Sequence, residues 1–171
     1  MRGLFIGRFQ PFHKGHASII NSALQQVDSL IVVIGSAECS HTPDNPFTAG
    51  ERIQMIREAM DELGWGDRVL PVPVRDVNRY AVWVDHVLSY VPEVDVVFSN
   101  NPLTKLLFEE RGLEVRSTPL IDRTELSGSS IRARMVSKED WNDSVPSKVA
   151  AFIHFINGVE RVRDLAGKGD K

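Results

Sequence analysis

The sequence predicts an α/β fold built on five parallel strands, and three observations carry that expectation. Short apolar runs rich in β-branched residues recur at 4–6, 30–34, 69–74, 94–98 and 113–115, each closely followed by Gly, Asn, Ser or Asp. The runs are continuously apolar rather than alternating, the pattern of strands buried on both faces of a sheet. Segments with helical spacing at 17–27, 49–63, 81–91 and 102–111 separate them. Strand and helix therefore alternate, as in a Rossmann-like, doubly wound five-stranded parallel sheet with helices on both faces. Further helical segments after Ser127 and Pro146 supply a helical C-terminal extension.

With 171 residues, 42% of them hydrophobic and 25% charged, the chain fits one globular domain with a real core. We read 1–171 as a single domain, with 146–171 as the helical extension and a short tail. Residues 166–171 turn Gly- and charge-rich, as a loose tail does. No repeat, linker or low-complexity stretch divides the chain. Thr48-Ala49-Gly50-Glu51 has the form of a capping box and marks the start of the second helix. The segment at 147–156 packs on the core or supports contact between copies of the chain.

The net charge of −3 argues against a surface that coats nucleic acid, so any anion site must be local. Cys39 is the single cysteine, which excludes an intrachain disulfide and points to a reducing cytoplasm. The short apolar run at the N-terminus meets Gly7 and Arg8 too soon for a signal peptide or membrane span, so no membrane partner is expected. Cys39 has no basic helix terminus in its sequence context and reads as an inert thiol.

In open α/β sheets, ligands bind beyond the carboxyl ends of the strands. The first strand exit reads Gly7-Arg8-Phe9-Gln10-Pro11-Phe12-His13-Lys14-Gly15-His16, placing two histidines, an arginine and a lysine where a helix begins. A helix start favours anions through its free N–H groups and its dipole. Spacing alone also admits a zinc site completed by Cys39 or His41, or ordinary loop residues. A second anion-binding helix start lies at Leu126-Ser127-Gly128-Ser129-Ser130-Ile131-Arg132, with Ser127 as the N-cap candidate.

The first of these strings resembles the His-x-Gly-His signature of the adenylyltransferase and cytidylyltransferase superfamily, and the second resembles its Ser-Ser/Thr-x-x-Arg element. The resemblance narrows to the archaeal-type nicotinamide-nucleotide adenylyltransferases and covers 2–166. It rests on Gly35-Ser36-Ala37, Ser40-His41-Thr42, Asn45-Pro46-Phe47-Thr48-Ala49-Gly50-Glu51-Arg52, Pro71-Val72-Pro73-Val74-Arg75-Asp76, Trp83-Val84, Ser99-Asn100-Asn101-Pro102-Leu103 and Ile156-Asn157-Gly158-Val159-Glu160-Arg161. Asn100 and Ser129 stand where such proteins more often have Gly and Thr; Asn tolerates left-handed backbone and Ser keeps the hydroxyl.

The resemblance implies transfer of AMP from ATP to nicotinamide mononucleotide, with Mg²⁺ arriving with ATP and no metal ligand assigned to a protein side chain. A phosphomonoester's second pKa is about 6, so the acceptor phosphate needs no general base. The reaction asks for alignment and for donors around developing charge. By the same resemblance His13 and His16 contact the triphosphate, His16 nearest the α-phosphate, while Arg8 and Arg132 hold phosphate oxygens. Gly7, Phe9, Asn100, Ser127 and Ser129 complete the expected ATP site, and Lys14 is a supporting charge or a solvated side chain. Ser36, His41, Asp76 and Trp83 are the expected nicotinamide mononucleotide contacts, Trp83 by stacking on the cationic ring. Relatives further imply a homo-oligomer, in their case a hexamer. Another phosphorylated acceptor, or a nucleotide sensor without transfer, are the competing readings. A fused Nudix-type hydrolase is disfavoured, because no dense Glu-rich helix motif is present.

Overall fold

The computed structural model describes residues 1–167; the part of the expected tail at 168–171 lies outside them. Five parallel strands form one sheet in the order β3-β2-β1-β4-β5. They are β1 (Arg2–Gly7), β2 (Ser29–Ile34), β3 (Val69–Pro73), β4 (Val96–Phe98) and β5 (Glu114–Arg116). In register, Leu4 pairs with Ile31 and Val97, and Phe5 with Val32 and Phe98.

Alternate strand residues point to opposite faces, and the sheet feeds two separate cores. Leu4, Ile31, Val33 and Val97 meet α3 (Tyr80–Leu88) and α4 (Pro102–Glu110) through Val84, Val87 and Phe108. Phe5, Leu30, Val32, Ile34 and Phe98 face α1 (Lys14–Leu24) and α2 (Ala49–Leu63), together with α5 (Gly128–Ser137), α6 (Ser147–Phe155) and α7 (Gly158–Gly167). The chain runs β1 to β3 toward one edge and then crosses to β4 beside β1, so the switch point lies between β1 and β4. The doubly wound sheet expected from the sequence is the one observed.

Local chemistry fixes the helix ends. Thr48 Oγ1 accepts from Glu51 N at 3.1 Å and Glu51 Oε2 accepts from Thr48 N at 2.9 Å, so the capping box forms as read. Arg161 on α7 holds that same carboxylate through two donors at 2.7 and 2.8 Å. Helix α1 begins at Lys14, three residues before the expected start at 17, because His13 serves as its N-cap. Helix α7 carries Ala166 and Gly167, which the sequence assigned to a loose tail. Val159 and Val162 anchor that helix in the core, and hydrophobic anchoring outweighs the local Gly-rich composition.

Candidate active site

A cavity of about 780 Å³ opens at the carboxyl ends of β1, β2 and β4, beside the switch point. Its size suits a drug-sized or nucleotide-sized ligand. The starts of two helices, His13 with His16 on α1 and Ser127 with Gly128 on α5, lie on its wall. Ser127 Oγ accepts from Ser130 N at 3.1 Å, which leaves the preceding N–H groups of the α5 first turn without that cap.

The histidines cap α1 reciprocally. His13 Nδ1 accepts from Gly15 N at 3.1 Å and from His16 N at 3.4 Å, while His16 Nδ1 accepts from His13 N at 3.1 Å. A nitrogen that accepts carries no proton, so each ring bears its proton on Nε2 and has that N–H left to donate. Gly15 makes the arrangement possible, since a Cβ there would lie 2.8 Å from the His13 ring and 2.9 Å from Ile121. Phe9 and Phe12 pack on the His16 ring, with centroids 4.6 and 5.4 Å away.

Burial depresses the His13 pKa to about 4. Burial, and then the charge of His13, push that of His16 well below its ordinary value. Both rings are therefore neutral donors near neutral pH. Formal positive charge at the cavity comes instead from Arg8, Arg75 and Arg123, which lie on its wall.

Also on the cavity wall, Ser36 Oγ donates to Asp76 Oδ2 at 2.8 Å, and Glu38 accepts from the Asp76 N–H through both carboxylate oxygens. Half-buried Trp83 meets Phe108 edge-on at 5.5 Å and lines the cavity. Asn100 also lines it, with its amide paired both ways to the Thr118 backbone at 2.9 and 2.8 Å.

Of the residues expected at the site, the cavity brings together Gly7, Arg8, His13, His16, Ser36, Asp76, Trp83, Asn100 and Ser127. Four others lie off the wall. The Phe9 ring is buried in the core, on a backbone with φ of 55°. Ser129 is exposed on the first turn of α5, and His41 is exposed with its Nδ1 2.9 Å from Ser40 Oγ. Arg132 sits behind the α5 start, where its Nη1 donates to the Gln10 carbonyl at 2.7 Å. Lys14 is exposed. Cys39, which with His41 is one of the alternatives for completing a zinc site, lies instead with Glu38 and Asp76, their ligand atoms all within 4.8 Å of one another.

Two supporting residues were not singled out from sequence. Arg52, fully buried, donates to the carbonyls of Arg8, Gly35, Ser36, Cys39 and Thr48 at 2.8 to 3.3 Å. One guanidinium thus ties the β1 exit to the β2 exit and to the start of α2. The Gln10 side chain grips the backbone of Phe47 in both directions, at 3.0 and 2.9 Å. A buried cation held by backbone carbonyls has no sequence signature beyond its place after the capping box.

Two helix starts and paired imidazole donors line a cavity at the switch point of a parallel sheet, in a chain whose relatives are nucleotidyltransferases. The cytidylyltransferase-like family model matches residues 4–134. A nicotinamide-nucleotide adenylyltransferase of Haloarcula marismortui is 51% identical over 97% of this chain and 87% of its own length. One of Archaeoglobus fulgidus is 48% identical over 98% and 99%. The chain belongs to the cytidylyltransferase-like family, in its nicotinamide-nucleotide adenylyltransferase branch. The fold is also that of a bifunctional NMN adenylyltransferase/ADP ribose pyrophosphatase of Francisella tularensis, with a TM-score of 0.76 at 21% identity. The match covers 99% of this chain and about half, 52%, of that one.

Proposed function

We propose that residues 1–171 act as one nucleotidyltransferase domain, with 146–171 as helical extension and tail, that transfers AMP from ATP to nicotinamide mononucleotide. A phosphate oxygen of the acceptor attacks the α-phosphorus of ATP, the bond from that phosphorus to the bridging oxygen breaks, and pyrophosphate leaves with the electron pair. The observation that carries this reading is the pair of neutral imidazoles with their Nε2–H groups left free beside two helix starts. Preorganised donors of this kind stabilise charge that develops in transfer without costing reorganisation.

In this reading His16 lies nearest the α-phosphate, His13 contacts the adjoining phosphates, and Arg8 and Arg132 hold phosphate oxygens. Gly7, Asn100 and Ser127 frame the adenylate, with Phe9 supporting them from the core and Ser129 beside them on the first turn of α5. Ser36, Asp76, Trp83 and His41 receive the acceptor, Trp83 against the cationic ring. Among the described residues Asp76 is the one carboxylate on the cavity wall, and it is engaged by Ser36. The phosphate end thus fits a Mg²⁺ ion bound mainly by phosphate oxygens and water, which would neutralise charge on the leaving pyrophosphate. We further propose cytoplasmic action and a homo-oligomer, a hexamer by analogy. Among the described residues no helix is long and apolar enough to cross a membrane.

Incubating the chain with ATP, Mg²⁺ and nicotinamide mononucleotide is expected to give NAD and pyrophosphate, separable by chromatography. Parallel reactions with phosphopantetheine, a flavin mononucleotide and a sugar phosphate test the acceptor. Turnover with one of those and none with nicotinamide mononucleotide would overturn the assignment.

A further inference from the structure

We propose that Asp44 is a resident counter-ion for Arg132, one that the phosphates of ATP must displace. The inference rests on the nucleotide site described above and deepens it.

Arg132 comes from the second helix-start motif, yet its guanidinium does not reach the cavity wall. Its Nη1 donates to the Gln10 carbonyl, and its Nη2 lies 3.7 Å from Asp44 Oδ1. The wall between is thin. A Cβ on Gly128, itself a cavity-lining residue, would stand 2.8 Å from Arg132 Nη1 and 3.0 Å from the Gln10 carbonyl oxygen. The absent side chain is what lets the guanidinium lie directly behind the α5 start.

The surroundings of Arg132 are electrostatically divided. Burial disfavours its charge most, Asp44 favours it, and the neighbouring Arg8 again disfavours it. Two arginines from two motifs therefore converge, and Asp44 is the anion that offsets their repulsion in the free chain. Gln10 holds the cation of the pair in place, because its carbonyl receives Arg132 while its side chain grips the Phe47 backbone. Asp44 itself has a side chain 84% exposed, against 13% for Arg132, so it is free to leave when a stronger anion arrives.

A triphosphate at the α5 start brings several negative charges close to the same guanidinium, across the thin wall at Gly128. Asp44 then changes from a favourable neighbour to a like charge, and its presence weakens ATP binding. Asp44 acts through Arg132 and is a positioning residue rather than a catalytic one.

Calorimetric titration of the full chain with MgATP tests this. An exposed pair of this kind is worth little, so at low ionic strength Asp44→Asn is expected to bind ATP about 1.5- to 5-fold more tightly than the parent. The difference should close as salt rises well beyond ~0.15 M. Asp44→Glu, which keeps the charge, should bind like the parent. A substitution at so exposed a side chain leaves folding essentially intact. Equal or weaker binding by Asp44→Asn at low salt overturns the proposal, as does an equal gain in Asp44→Glu. If the parent binds no ATP at all, the nucleotide site itself fails, and this inference with it.

Discussion

The rings of His13 and His16 stack 3.6 Å apart at 24°, so a proton on either would place a buried charge against the other. Both are neutral in the folded chain, whereas histidines of an unfolded chain take up protons below their ordinary value of 6.5. The unfolded state therefore gains protons that the folded state does not. Stability present above pH 6.5 should be lost progressively as pH falls toward about 4. Urea unfolding across that window measures the slope. His13→Asn should flatten it, and an unchanged slope would mean that the ring titrates normally.

The same substitution separates capping from chemistry. Asn is a strong N-cap, so His13→Asn should keep the start of α1 while His13→Ala loses about 1 kcal/mol of stability. Both remove a ring donor, and both should slow NAD formation by roughly a hundred- to a thousandfold. Melting curves and turnover on the same preparations check the two effects. Equal melting of the two variants would show that the imidazole is not the cap.

Trp83 offers a test confined to the acceptor end. Trp83→Leu keeps an apolar side chain beside Phe108 but removes the ring, and should raise KM for nicotinamide mononucleotide about 3- to 30-fold. Trp83→Phe keeps a ring and should change it much less. ATP affinity should stay at the parent value in both. A KM unmoved by Leu would confine Trp83 to packing.

Arg52 should couple the two ends. Its loss takes the guanidinium from five carbonyls, of which only those of Thr48 and Ser36 keep a backbone donor among the described residues, so Arg52→Ala is expected to cost at least about 3 kcal/mol and to melt far below the parent. Arg52→Lys keeps the charge but replaces the planar fork with a compact ammonium that cannot span the same carbonyls. It should fold and show a raised KM for ATP and for the acceptor together. A rise in only one would show that Arg52 supports one strand exit alone.

Strands were easiest to read from sequence. Where both sheet faces are covered, burial selects continuous runs such as Leu30 to Ile34, and few other structures demand them. Helix starts were legible where the cap is an ordinary one, as at Thr48 and Ser127. The α1 start reads at the right strand exit but three residues late, because histidine is an unusual N-cap and its role depends on Gly15 admitting the folded-back ring. At the site, spacing identified which residues come from helix starts but not their depth. Phe9 and Arg132 belong to the expected motifs, yet one ring turns into the core and one guanidinium lies behind Gly128. Arg52 was invisible because its partners are backbone carbonyls, which every residue possesses and no sequence pattern marks.

The clasp between Glu51 and Arg161 joins residues 110 positions apart. During synthesis on the ribosome, α2 and the strand exits it supports emerge long before α7 does. The Glu51 carboxylate therefore waits for its guanidinium until residue 161 has emerged. A nascent chain stalled before residue 161 would have its nucleotide-facing loops in hand but not the fastening that clasps the start of α2.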